Sequence, residues 1–286
     1  MTERQEDAPP LHSFSGSEAD KRRLLDRMLA RSPFDATRTR WIFETHYRNG
    51  PRLVLRRPLR KYDLGAKRVL DTGCGFGGAL LYFGPGSLGL EIDDDASRFV
   101  RAIGMPVKQL DVHSESFANE VPDDAFDAVW CCNVLEHVDS PHTVLVRLRD
   151  KLVSRGLVLL TVPTIPRSRL VERAVRLLYR ALLRGRVTEL SYTARDHING
   201  FSDRSFAFTV ERAGYRVLDV TAGLPPLGPL DVLEPLLVGR WDRVTVVAEK
   251  IDDFDYGPKT VRKIVKGGWR YKTAEELAAE CGRPVE

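Results

Sequence analysis

From Lys67 onward, apolar runs of strand length alternate with helical stretches, and no other feature constrains the fold of this chain as tightly. The runs are Arg68–Asp71, Leu88–Ile92, Ala128–Cys132, Gly156–Val162, Tyr215–Val220 and Arg243–Ala248. Helical spacing marks Ala96–Ile103 and Pro141–Leu152 between them. Strand–helix alternation with short connections implies a mostly parallel sheet covered by helices on both faces. The expected class is therefore α/β, doubly wound.

The rest of the chain is arranged around that unit. Residues 1–16 read as a polar tail and 17–66 as N-terminal helices. Ser17 is placed to cap the first of these, which carries Leu24, Leu25, Met28 and Leu29 at helical spacing. A second is expected to start at Asp35, to carry Trp41, Ile42 and Tyr47, and to end at Asn49-Gly50-Pro51. The alternating domain spans 67–250, interrupted by a helical insert at 163–199, and 251–286 forms a charged C-terminal extension without an assignable role. The net charge of +4 is too mild to point to nucleic acid. Cys74, Cys131, Cys132 and Cys281 show no CxxC spacing, so reduced thiols in a cytoplasmic protein are expected. MTERQEDAPP carries no apolar core of a secretory signal, and no apolar run approaches the ~20 residues that cross a bilayer.

The chemistry is concentrated in Val69-Leu70-Asp71-Thr72-Gly73-Cys74-Gly75-Phe76-Gly77-Gly78, read as a strand, a glycine turn and the start of a helix. Glycine lets a backbone turn tightly beside a ligand, and a helix start offers N–H groups to an anion. Gly73, Gly75 and Gly78 also fit GxGxxG, so a nicotinamide dinucleotide enzyme is an alternative. Three carboxylates favour a different ligand. Asp71 at the strand end opposes a pyrophosphate and suits a cation. Glu91 in Leu88-Gly89-Leu90-Glu91-Ile92-Asp93 is placed to accept hydrogen bonds from ribose hydroxyls. Asp111 in Gln109-Leu110-Asp111-Val112 follows the third strand and can meet an adenine amino group.

With Phe126-Asp127-Ala128-Val129-Trp130-Cys131-Cys132-Asn133-Val134-Leu135-Glu136-His137-Val138, these motifs resemble the class I S-adenosylmethionine-dependent methyltransferases. The resemblance is to the small-molecule branch related to ubiquinone-biosynthesis O-methyltransferases, and it covers roughly 67–250. It implies a Rossmann-like sheet of seven strands with the last one antiparallel, and S-adenosylmethionine as cofactor. It further implies a cofactor site of Asp71, Gly73, Cys74, Gly75, Gly77, Glu91, Ile92, Asp111, Val112 and Asn133. Gly73 and Gly75 would lie against the methionine part, Asp71 would help orient its amino group, and Asn133 would offer backbone contacts. The loop between Gly78 and Gly89 is shorter than is usual in that family.

Methyl transfer from a sulfonium needs an acceptor held in line and dry, with a base if the acceptor is a hydroxyl. His137 and His197 are the candidate catalytic residues; His12, His46, His113 and His142 have no distinctive context. Some relatives, among them small-RNA 3′-end methyltransferases, hold a divalent metal with Glu-x-x-Glu-His and a later His. Glu136, His137 and His197 fit that pattern, but Asn133 stands at its first Glu, so no metal is expected. The expected acceptor is a small or lipid-linked hydroxylated molecule. At ~100° per residue, Leu170, Val171, Ala174, Leu177, Leu178 and Ala181 face one way and Arg169, Arg173, Arg176, Arg180 and Arg184 the other. Segment 167–185 is then a lid with solvated arginines, or a helix on an anionic membrane surface. An NAD(P)-dependent oxidoreductase, an RNA methyltransferase and a non-catalytic binding protein of the same fold are the alternatives. Oligomeric state is not legible in the sequence.

Overall fold

The computed structural model describes residues 17–48, 58–164, 197–222, 243–254, 261–265 and 268–272. The chain divides into two compact units, Met1–Ile251 and Asp252–Glu286. In the first, a seven-stranded sheet comprises β1 (Val69–Thr72), β2 (Leu88–Glu91), β3 (Val107–Gln109), β4 (Phe126–Cys132), β5 (Leu152–Pro163), β6 (Tyr215–Ala222) and β7 (Arg243–Lys250). Its order is β3-β2-β1-β4-β5-β7-β6. All neighbours are parallel except β7, which runs antiparallel to both β5 and β6. This is the doubly wound arrangement expected. In the second unit, β8 (Val261–Val265) and β9 (Gly268–Lys272) form an antiparallel hairpin.

The α-helices described from end to end are α1 (Glu18–Arg31), α2 (Ala36–Ile42), α3 (Asp94–Ala102), α4 (Glu115–Glu120), α5 (Pro141–Lys151) and α6 (Asp203–Arg212). Each starts where a short polar side chain accepts a backbone N–H: Ser17, Asp35, Asp93, Ser114, Ser140 and Ser202 in turn. Such caps stabilise a helix by ~1 kcal/mol each, which is why the starts were legible. Successive residues of β4 feed opposite faces of the sheet. Val129 and Cys131 join Phe117, Leu145, Leu148 and Phe206 beneath α4, α5 and α6. Ala128 and Trp130 join Leu24, Met28, Ile42 and Phe99 beneath α1, α2 and α3. Fully burying a side chain of this size contributes ~1.5–3 kcal/mol, so neither face can be left uncovered.

Three expectations are corrected. No α-helix follows the glycine turn; a single 3-10 turn, Leu80–Tyr82, stands there. Gly73, Gly75 and Gly77 take left-handed φ of 68°, 53° and 82°, and Gly84-Pro85-Gly86 ends the segment, so no run is long enough for α-helix. The helix expected from Asp35 through Tyr47 changes pitch at Phe43, and Phe43–Tyr47 form a π-turn. The insert begins later than position 163, because Pro163 is still paired with Arg243 and Thr164 bridges Phe201. The amphipathic segment 167–185 lies outside the described residues. Among the described residues no helix is long and apolar enough to cross a membrane.

Candidate active site

The strand order reverses at β1: the chain runs outward through β2 to β3 and then crosses back to β4 on the other side of β1. In open α/β sheets a crevice forms outside the carboxyl ends of the strands at such a point. A cavity of about 470 Å³ sits there, lined by the loops that follow β1 to β4. Gly73, Glu91, Ile92, Asp111, Val112 and Asn133 of the expected cofactor set line it, as does His137. Asp71, Cys74, Gly75, Gly77 and His197 are not among its lining residues. Gly77 and Cys74 turn away from it: a Cβ on Gly77 would stand 3.0 Å from Val100, and Cys74 packs with the cluster beneath the N-terminal helices.

The glycine turn is closed by its own hydrogen bonds. The N–H groups of Gly73 and Cys74 donate to the Leu90 carbonyl at 2.8 and 3.0 Å, and that of Gly77 to the Cys74 carbonyl at 2.9 Å. The Gly75 N–H donates to Glu91 Oε2 at 2.6 Å, while Glu91 Oε1 accepts from Asp93 N at 2.9 Å. The donors expected to face an anion are therefore used internally. Glu91 is only 8% exposed. Asp71 is 2% exposed, and its Oδ2 has no hydrogen-bond partner. Burial, and after it the charge of Glu91, raises the Asp71 carboxyl well above the usual carboxylate range. Burial likewise pushes the Cys131 thiol up to about 12 and raises Cys74 further, so neither thiol is a nucleophile at neutral pH.

After β4, Asn133 adopts a left-handed φ of 56° and donates its N–H to the Thr161 carbonyl at 2.8 Å. Its Oδ1 is buried without a hydrogen-bond partner. Asp111 accepts from His113 N at 2.8 Å in a tight turn. That turn brings His113 into the cavity lining, with Nε2 buried and likewise without a partner. Sequence reasoning missed His113; its place directly after Asp111-Val112 was the available signal.

His137 and His197 are brought together. Ile198 and Asn199 donate their N–H groups to the Glu136 carbonyl at 2.9 and 3.0 Å, and Asn199 Nδ2 donates to the Leu135 and Val138 carbonyls at 3.3 and 2.5 Å. This strap sets the two imidazole rings 4.7 Å apart, edge to face. Glu136 is 1% exposed. Ligand atoms of Glu136, His137 and His197 lie within 4.8 Å of one another, although Asn133 occupies the position that argued against a metal. Two imidazoles and a carboxylate are a donor set suited to zinc, manganese or iron(II).

The sheet order and the position of the cavity define the fold of the class I S-adenosylmethionine-dependent methyltransferases. S-adenosylmethionine is the cofactor that this class uses. A family model described as a methyltransferase domain matches residues 21–220, and the chain belongs to that family. It is 32% identical over 90 residues to a ubiquinone biosynthesis O-methyltransferase of Methylococcus capsulatus, covering 29% of this chain and 38% of that protein. It is 34% identical over 104 residues to the Chromobacterium violaceum protein of the same name, covering 34% and 44%. The chain thus spans less than half the length of these curated relatives. An S-adenosylmethionine-dependent methyltransferase structure from Mesorhizobium loti superposes with a TM-score of 0.50 at 17% identity, over 69% of this chain and 98% of that one.

Proposed function

We propose that this chain binds S-adenosylmethionine in the cavity at the ends of β1 to β4 and transfers its methyl group to a hydroxyl of a small or lipid-linked acceptor. One observation carries the choice of ligand. The glycine turn spends the N–H groups of Gly73, Cys74, Gly75 and Gly77 internally, while buried carboxylates stand behind it at Asp71 and Glu91. Such a site leaves few N–H donors for a pyrophosphate, and a bound sulfonium and ammonium favour the ionised form of both carboxylates. Asp71 would steady the ammonium of the methionine part, with Gly73 and Asn133 beside it. Glu91 would accept from the ribose hydroxyls, and Ile92, Asp111 and Val112 would face the adenine.

This role makes cofactor affinity depend on pH. Asp71 has a raised pKa in the empty site, and a bound ammonium lowers it, so binding drives the proton off. Affinity therefore rises with pH until Asp71 is ionised in the empty site, and is flat above. Calorimetry with S-adenosylhomocysteine across that range should show this slope for the wild type and lose it in Asp71→Asn. A slope that persists in the variant sinks the assignment.

For the transfer itself, His137 lines the cavity and would take the acceptor proton as the oxygen attacks the methyl carbon in line with the departing sulfur. His137→Ala should lower transfer to hydroxylated acceptors by ~10²-fold or more, read with methyl-labelled donor. Transfer confined to nitrogen or sulfur acceptors would remove the hydroxyl reading. A second reading of the same histidine is favoured by the Glu136–His137–His197 cluster, which would hold a divalent cation that acidifies the acceptor hydroxyl. Titration of metal-free protein with zinc or manganese separates the two. Stoichiometric binding that His197→Ala abolishes supports the cation, and no binding leaves His137 as the base.

A further inference from the structure

The glycine turn of this chain is followed by a single 3-10 turn in place of an α-helix, and the Phe76 carbonyl within it is held from outside the turn. The structure assigns that task to the N-terminal π-turn, and to Tyr47 within it as a positioning residue for the cofactor; this rests on the function proposed above. π-Turns are rare and cost regular hydrogen bonding, so their presence asks for a reason. Here the wider turn brings His46 and Tyr47 onto the glycine turn. The Tyr47 hydroxyl donates to the Phe76 carbonyl. Tyr47 is 1% exposed, and burial raises its phenol well above the ordinary value, so it is a neutral donor. The His46 ring lies 5.1 Å from the Phe76 ring. Behind Phe76 stands Phe99 of α3, edge-on at 5.6 Å.

The glycines record how closely the two elements meet. A Cβ on Gly78 would stand 2.6 Å from the His46 carbonyl oxygen. One on Gly77 would stand 3.4 Å from the Tyr47 hydroxyl and 3.0 Å from Val100. Gly77 and Gly78 thus admit the N-terminal segment rather than the ligand.

The consequence for binding runs through one stretch of backbone. The Gly75 N–H is held by Glu91 and, one residue on, the Phe76 carbonyl is held by Tyr47. These two grips on neighbouring peptide groups fix the turn, and through it the orientation of the Glu91 carboxylate that lines the cavity. Residues before the sheet therefore belong to the cofactor site without touching the cofactor.

The test is a double-mutant cycle on the full chain, with S-adenosylhomocysteine affinity as the readout and thermal unfolding beside it. Tyr47→Phe removes one oxygen and keeps the ring, and it should weaken binding about tenfold. In a Glu91→Ala background the same change should cost little, because the turn then has no side chain at 91 to orient. A lowered unfolding temperature with unchanged affinity, or full additivity of the two substitutions, overturns the inference and makes Tyr47 merely structural. Absence of binding to the wild type would instead overturn the cofactor reading itself, and this inference with it.

Discussion

Glu91→Ala is expected to weaken S-adenosylhomocysteine binding by ten- to a hundredfold, about 1.4–2.8 kcal/mol, while the protein stays folded. Both carboxylate oxygens already accept backbone N–H bonds, from Gly75 and Asp93, which fixes the carboxylate without exhausting its lone pairs. Truncation therefore removes the ribose acceptor and releases the Gly75 N–H at once. A charged hydrogen bond contributes ~1.5–3 kcal/mol, and loosening of the turn adds to it. Calorimetric titration measures the loss, with circular dichroism as the check on folding. An unchanged affinity would mean that the ribose lies elsewhere and that the glycine turn does not depend on Glu91.

The largest expected effect on stability lies away from the cavity, at Gly84. Its N–H donates to the Leu64 and Lys67 carbonyls at 3.2 and 2.9 Å, tying the entry to β2 against the entry to β1. A Cβ there would stand 2.7 Å from the Ala66 carbonyl carbon, the Lys67 nitrogen and the Lys67 oxygen. All three are backbone, so no side chain can rotate aside. Gly84→Ala should therefore cost about 3 kcal/mol, at the upper end for overpacking, and lower the unfolding midpoint by roughly 6–12 °C. Gly75→Ala is the contrast. Its Cβ would meet nothing within 4 Å, so only the left-handed backbone at φ 53° is penalised, by about 1–2 kcal/mol. Equal losses at the two positions would contradict this account of Gly84.

Where local chemistry decides structure, the sequence could be read closely. Ser17 and Asp35 cap the helices assigned to them, and the aliphatic runs fall in strands whose ends differ by a few residues. Other features depend on distant partners. Phe43-Glu44-Thr45-His46-Tyr47 reads as continuing helix, and the change of pitch is explained only by Phe76, which the fold brings beside it. GxGxxG suggested a helix start, but left-handed φ angles at successive glycines and the Gly84-Pro85-Gly86 stop leave room for one 3-10 turn. His113 offered only its place after Asp111-Val112, because it enters the cavity when the Asp111 turn folds the backbone back. Gly77 could be recognised as necessary but not assigned a partner: it admits Val100 and Tyr47, which no motif spacing specifies. His137 and His197 were both named, yet their contact rests on the Asn199 strap, a long-range feature without a sequence signature.

The most direct test of the central claim is calorimetric titration of the wild-type chain with S-adenosylhomocysteine and, in parallel, with NAD and NADP. A cavity flanked by buried carboxylates, whose turn has spent its N–H groups, predicts micromolar binding of the first and no heat from the dinucleotides. Heat from a dinucleotide and none from S-adenosylhomocysteine would contradict it.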